Sequence, residues 1–325
     1  MDKEKYLQKI LQSQTLSPDS EELKALQGHR ADVEALLRKH FDKSSPTIRY
    51  GGSKAKGTMI SEAYDLDLIV YFPHDDSPAG ETLEDICNNV RKALSAKYLV
   101  QPKQSALRLQ DNNPKNAGVD FHIDVVPGRY TDDSNTDAFL FQASGEKKRL
   151  KTNLDVHINH VKDSGVRDAI RLLKLWRVRN GVNIKHFPLE LVIIELLRGK
   201  KSSSLSQQLD HVWTEFRDNV DDITIDDPAN PTGNDLSELL NDAVRSELSS
   251  VAYITLNNID KLGWESVLGP SEDNEEDRVV SLRQAAATVI KPTKPWSADS
   301  PRRPPKIPHL WPLENPPFDH RESDQ

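Results

Sequence analysis

Residues 65–72, Asp65-Leu66-Asp67-Leu68-Ile69-Val70-Tyr71-Phe72, constrain this chain more than any other stretch. Acids alternate with large apolar residues, which is the period of a strand, so Asp65 and Asp67 project side by side from one face. Two adjacent anions need a cation. Just upstream lies Tyr50-Gly51-Gly52-Ser53-Lys54-Ala55-Lys56-Gly57-Thr58. A turn that begins on two glycines lets backbone N–H groups approach a phosphate closely, with the Ser53 hydroxyl as a further donor. A helix starting near Ser53 would aim its positive end at the same anion. Alone, Gly-Gly-Ser is an ordinary turn and Asp-x-Asp an ordinary solvated strand face. In the order strand, turn, helix, strand they point together to metal-dependent chemistry on a nucleoside triphosphate.

Gly52-Ser53 followed by Asp65-x-Asp67 resembles the signature of the polymerase β-like nucleotidyltransferases. The likeness is to the branch that holds the bacterial CD-NTases (the SMODS group), cyclic GMP-AMP synthase, oligoadenylate synthase and archaeal CCA-adding enzymes. That resemblance implies an α+β fold, with a nucleotidyltransferase sheet lobe packed against a helical C-terminal lobe and an active site in the cleft between them. It also implies a third carboxylate on a later strand. In Val119-Asp120-Phe121-His122-Ile123-Asp124-Val125-Val126-Pro127, alternation puts Asp120, His122 and Asp124 on one face. The Ile-Asp-Val-Val-Pro context favours Asp124, with Asp120 a rival on the same face.

A chain of 325 residues exceeds the roughly 250–300 residues at which single cores stop growing, so two lobes are expected. The expected boundaries are 1–150 for the catalytic lobe with its long N-terminal helix, 151–290 for a helical lobe and 291–325 for a proline-rich tail. A capped helix start at Ser17-Pro18-Asp19-Ser20-Glu21 opens an amphipathic helix to about Phe41. Strands are expected near 47–51, 65–72, 105–110 and 118–126, a helix over 83–94 and a turn at 111–114. After Asn153 the pattern becomes helical to near Ile290. The tail then holds nine of the twenty prolines together with Trp296, Leu310, Trp311 and Phe318. That composition favours an extended segment lying across the body or binding a partner.

The net charge of −8 argues against a protein that holds long nucleic acid over a wide surface. Basic charge is nevertheless concentrated: residues 147–201 carry 14 Lys and Arg against 5 Asp and Glu. No apolar run reaches the ~20 residues of a membrane span and no signal-peptide core opens the chain, so a soluble, cytoplasmic protein is expected. The single cysteine, Cys87, excludes internal disulfides and a Cys-based zinc site.

In residues 166–176 an apolar stripe of Ala169, Leu172, Leu173 and Trp176 runs beside a basic edge of Arg167, Arg171 and Lys174. This resembles the helix whose lysine reaches the donor triphosphate in the family, with Lys174 the best match; a solvated helix face is the ordinary alternative. Asp226-Asp227-Pro228-Ala229-Asn230-Pro231-Thr232-Gly233-Asn234-Asp235 resembles a segment of the oligoadenylate-synthase and CCA-adding C-terminal lobes. Physically it reads as two proline turns leading into a helix capped by Asn234 or Asp235, a structural role. Relatives open a cleft-facing helix with Ser and an aromatic residue that stacks on a base. Here His186 and Phe187 precede Leu189-Glu190 at those positions, and Phe187 either stacks or fills the core.

The resemblance therefore implies Mg²⁺, replaceable by Mn²⁺, held by Asp65, Asp67 and Asp124. Gly52, Ser53, Lys174 and Phe187 would bind nucleotide, and Asp124 could also take the proton of the attacking hydroxyl. Three functions fit: synthesis of cyclic di- or oligonucleotide second messengers from nucleoside triphosphates, ATP among them; template-independent addition to RNA or linear oligoadenylate synthesis; and nucleotide binding without catalysis. The first is associated with CBASS-type antiphage signalling to a separate effector. In some relatives accessory proteins act on the C-terminus.

Overall fold

The apolar run at 66–72 becomes β2 (Leu66–Phe72) because both of its faces are covered. Leu66, Leu68, Val70 and Phe72 face one hydrophobic cluster, whereas Ile69 and Tyr71 face another. The computed structural model describes residues 2–17, 19–113, 115, 120–145 and 147–270, which fall in one compact unit. The acidic run at 272–277, the expected end of the helical lobe and the proline-rich tail lie outside the described residues, as do Pro114 and the start of the expected strand at 118–119.

Around β2 the sheet runs β1 (Thr47–Tyr50), β2, β5 (Asp120–Tyr130), β4 (Leu107–Gln110), β3 (Leu99–Pro102). β5 continues past the others to pair with β6 (Asp137–Phe141), which pairs with β7 (Arg149–Asn153). The β2–β5 pair is parallel and the remaining pairs are antiparallel. Among the described residues the mixed sheet thus has seven strands rather than the four expected. β3, β6 and β7 are short and, apart from Ala138, Leu140 and Thr152, present no buried side chains, so their sequences carry no clear alternation.

One face of the sheet is covered by α2 (Glu21–His40) and α4 (Leu83–Leu94), through Leu26, Val33, Leu37, Ile86, Val90 and Leu94. The Ser20 hydroxyl caps α2, and Thr82 with Asp85 forms a capping box on α4. The opposite face packs Ile69, Tyr71 and Tyr130 against Leu154 and Ile158 of α5 (Leu154–Lys162), which starts directly after Asn153, itself the cap. The helical lobe joins α6 (Arg167–Arg179), α7 (His186–Leu196), α8 (Leu205–Asp218), α9 (Asp242–Leu262) and α10 (Glu265–Leu268) around Trp176, Trp213 and Phe216. α1 (Lys3–Ser13) belongs to this cluster through Tyr6, Leu7, Ile10 and Leu11. Among the described residues no helix is long and apolar enough to cross a membrane.

Candidate active site

The glycine turn is built onto Asp67. The short helix α3 (Gly52–Lys56) follows β1, and Gly51 N–H donates to the Asp67 carbonyl at 2.8 Å. Gly52 has φ +49°, and a Cβ there would lie 1.6 Å from Asp67 Oδ2. Only glycine satisfies both the left-handed backbone and that contact. No side chain caps the turn, and Ser53 is half-buried. Backbone donors and a carboxylate thus share one small space.

The register across the sheet completes the site. Asp67 lies beside Asp124 on β5, and Asp124 beside Arg108 on β4, so one row carries acid, acid and guanidinium on the same face. Asp65, immediately before β2, is half-buried. Asp120 does not join that row. The register of β4 shifts between Leu109 and Gln110, and His122 adopts φ 57°, so the strict alternation expected over 120–124 is broken by a bulge. Asp124, not Asp120, therefore stands next to Asp67.

Arg108 ties the acids together. It donates from Nε to Asp124 Oδ1 at 2.6 Å, from Nη2 to Asp124 Oδ2 at 2.8 Å and from Nη1 to Asp120 Oδ2 at 2.7 Å. Its Nη2 also lies 3.3 Å from Asp65 Oδ2, and Lys103 Nζ donates to Asp124 Oδ2 at 2.8 Å. Burial would raise the Asp124 carboxyl, but Arg108 and Lys103 outweigh it and hold it below the usual range. A carboxylate so held is a poor proton acceptor, which weakens the expectation that Asp124 takes the hydroxyl proton. Asp67 has no side-chain partner of this kind among the described residues. Burial first, then the charges of Asp124 and Asp65, push its carboxyl up to about 6.

Beneath the turn lies a second charged group that sequence reasoning missed. Glu190 on α7 is 2% exposed and accepts from Lys56 Nζ at 2.7 Å, Thr58 Oγ1 at 2.8 Å and Lys174 Nζ at 3.2 Å. Lys174, 1% exposed, also donates to the Thr58 carbonyl at 3.2 Å. The structure thus places Lys174 neither on a solvated face nor on an open cleft wall, but inside a cluster that joins α3 to α6 and α7. Burial would raise the Glu190 carboxyl, yet Lys56 and Lys174 bring it down to about 2. Desolvation lowers the Lys174 ammonium against the opposing pull of Glu190.

Phe187 is half-buried, with the Lys56 ammonium 5.0 Å from its ring centroid and the His157 ring 5.0 Å away. His186 is half-buried with Nδ1 unpartnered, and desolvation, then Lys174 and Arg177, lower its imidazole to about 4. Of the expected basic edge, Arg171 is spent on the Leu11 carbonyl and Thr15 of the N-terminal segment, whereas Arg167 is exposed.

The segment 226–235 is a lock. Asp227 accepts from His157 Nε2 at 2.7 Å and Asn234 Nδ2 at 2.6 Å, and Asn234 also donates to the Lys151 carbonyl. The expected helix capped by Asn234 or Asp235 is a 3₁₀ turn over Ser237–Leu240; the long helix starts at Asp242 under an Asn241 cap.

Hard oxygen ligands suit Mg²⁺, which is usually held by one or two carboxylates plus substrate phosphates. A half-buried Asp67 beside two further acids, with no side-chain hydrogen bond among the described residues, fits that requirement. Among the described residues no three acids, histidines or cysteines converge as a ready-made metal group, and Asp124 is bonded to Arg108 and Lys103.

No protein-family model matches the chain. A curated relative, the cyclic AMP-AMP-AMP synthase of Escherichia coli strain MS 115-1, is 25% identical over 238 residues, which cover 62% of this chain and 72% of that protein. Among solved structures, the E. coli MS115-1 CdnC:HORMA-deltaN complex matches with a TM-score of 0.61 at 20% identity, covering 83% of this chain and 98% of that one. The Bradyrhizobium diazoefficiens CD-NTase CdnG in complex with GTP matches with a TM-score of 0.60 at 13% identity, covering 89% and 98%. The chain has the polymerase β-like nucleotidyltransferase fold, and its likeness is to the CD-NTases broadly rather than to a single member.

Proposed function

We propose that the protein is a divalent-cation-dependent nucleotidyltransferase that joins nucleoside triphosphates, ATP among them, into a cyclic di- or oligonucleotide second messenger and releases pyrophosphate. The observation that carries this reading is the row Asp67–Asp124 with the Gly51–Gly52 backbone folded onto Asp67. The sequence likeness to a cyclic AMP-AMP-AMP synthase supports the cyclic product. Asp65, Asp67 and Asp124 would hold Mg²⁺ or Mn²⁺, whose chemistry is to make a ribose hydroxyl a better nucleophile and to offset charge on the departing pyrophosphate. The chain's own part is positioning. Backbone N–H groups of Gly52 and Ser53 would bind the phosphates, and the rigid strand pair β2–β5 would keep the acids adjacent to them. Lys56, Lys174 and Glu190 would support the turn from below. Phe187, at the start of α7, is the candidate base platform. A separate effector would read the product. The HORMA-containing complex of the E. coli protein supports an accessory partner here as well.

Incubation with each labelled triphosphate and Mg²⁺ or Mn²⁺, followed by phosphatase, tests the proposal. A small phosphatase-resistant product is expected, absent in Asp67→Asn while its melting transition persists. A phosphatase-sensitive ladder would instead show linear extension, and measurable nucleotide binding with no product under either cation would show binding without transfer.

A further inference from the structure

Asp124 is the most heavily bonded acid in the row. Its two oxygens accept three charge-assisted hydrogen bonds, two from Arg108 and one from Lys103, at 2.6–2.8 Å. A carboxylate offers about four lone-pair sites, and cations on three of them oppose any further positive charge. A divalent cation that engages Asp124 has to displace at least one of these donors.

The geometry shows which donor has somewhere to go. Lys103, with its side chain 41% exposed and no second acid among the described residues, can only be released to water, whereas the nearly buried Arg108 already donates from Nη1 to Asp120 Oδ2 at 2.7 Å and so has another acid within the protein. Asp120 sits four residues before Asp124, on the far side of the left-handed kink at His122, and its carboxylate is partly exposed. Its Oδ1 accepts from His122 N–H at 2.7 Å, which fixes the carboxylate where Arg108 reaches it. A guanidinium has five donors in a planar fork, so it can give up Asp124 and remain paired through Asp120. Arg108 itself is 8% exposed and would be costly to leave unpaired in that position.

We propose that Arg108 and Asp120 form a positioning pair that controls access to Asp124: the guanidinium covers Asp124 when no divalent cation is present and transfers to Asp120 when one binds. Asp120 is then not a spare ligand but the acid that keeps Arg108 off Asp124. This rests on the metal-site reading proposed above.

The test is direct binding of Mn²⁺ by the full chain without nucleotide turnover, followed by electron paramagnetic resonance of free Mn²⁺. Four proteins are compared: wild type, Arg108→Gln, Asp120→Asn and the double variant, each checked by its melting transition. Arg108→Gln should bind about tenfold more tightly, the factor that corresponds to removing one charge-assisted hydrogen bond that must otherwise be broken. Asp120→Asn should bind severalfold more weakly, because Arg108 then has only Asp124 and Asp65. In the Arg108→Gln background, Asp120→Asn should have no further effect. A general loss of negative field would instead weaken binding equally in both backgrounds and would overturn the proposal, as would unchanged or weaker binding in Arg108→Gln. If Arg108→Gln does not fold, unchanged affinity in Asp120→Asn overturns it alone. Wild type whose Mn²⁺ binding is absent, or indifferent to Asp67→Asn, would overturn the metal-site reading itself and this proposal with it.

Discussion

Substitution at the buried Glu190 cluster separates support of the turn from direct contact with phosphate. In Glu190→Gln two ammonium groups, Lys56 and Lys174, lose their shared counter-charge at a site where Glu190 is 2% exposed. Breaking a buried pair from one side costs about 3–5 kcal/mol, and at about 1.5 °C per kcal/mol for a chain of this size the melting temperature should fall by about 4–8 °C. Lys174→Met should be far milder. Glu190 keeps its 2.7 Å bond to Lys56 and its 2.8 Å bond to Thr58, and the 3.2 Å bonds from Lys174 to Glu190 and to the Thr58 carbonyl are lost while the cost of burying an ammonium disappears. The expected loss is at most about 1.5 kcal/mol. Differential scanning fluorimetry and urea melts measure both, and equilibrium binding of a non-hydrolysable ATP analogue is measured on the same samples. A lysine that grips the triphosphate would behave oppositely: Lys174→Met would lose tenfold or more in nucleotide affinity at unchanged melting temperature. That result would refute the buried-support reasoning.

Gly52→Ala should abolish product formation, since its Cβ would meet Asp67 Oδ2 at 1.6 Å in a residue with φ +49°. Gly181→Ala, at φ +66° with nothing within 4 Å, should cost only backbone strain of about 1 kcal/mol and keep activity; equal loss of activity in the two would dissociate the turn from the chemistry. His186 gives a pH signature. Its imidazole is lowered to about 4 in the folded chain against about 6.5 unfolded, so its contribution is fully present above pH 6.5 and is lost as pH falls toward 4. The whole effect amounts to about 3 kcal/mol. Urea melts between pH 7.5 and 4.5 should show a steeper decline in the wild type than in His186→Gln, and parallel curves would contradict the burial of a neutral imidazole.

The residues that sequence alone made visible are those whose neighbours are local. Asp65 and Asp67 interrupt an apolar strand with period two, and the glycines beside them leave few alternatives for the backbone. Asn153 marks the change from strand to helix because it is itself the cap and a periodic apolar run follows it directly. Asp124 needed more, since the rivalry with Asp120 is decided by the bulge at Leu109/Gln110 and the turned backbone of His122, and neither has a signature in composition. Lys174 was legible as a position but not as an environment. Periodicity put it at the edge of a stripe, yet Ala169, Ile170 and Leu172 through Trp176 are all buried because α6 is surrounded by α1, α7, α8 and α10. Arg108 is not singled out by the sequence, and Glu190 enters only as an alignment anchor beside Leu189, for the same reason. Each is a single charge set among apolar residues, Leu107 and Leu109 in one case and Pro188-Leu189 and Leu191-Val192 in the other. On a strand that pattern imitates a solvated face, and on a short helix it imitates a stray acid. A charge that interrupts an apolar element is affordable in the interior only with a partner. Such a residue therefore announces a long-range pair even when the partner cannot be named, and for Arg108 and Glu190 the partners came from other elements: Asp124 from the next strand, Lys56 from the glycine turn. Both pairs converge on Asp67. Lys103 and Lys56 are the cations that lower its carboxyl against the burial and the neighbouring acids that raise it, so the charge left at Asp67 is set by residues from β3's end, α3 and, through Glu190, the helical lobe.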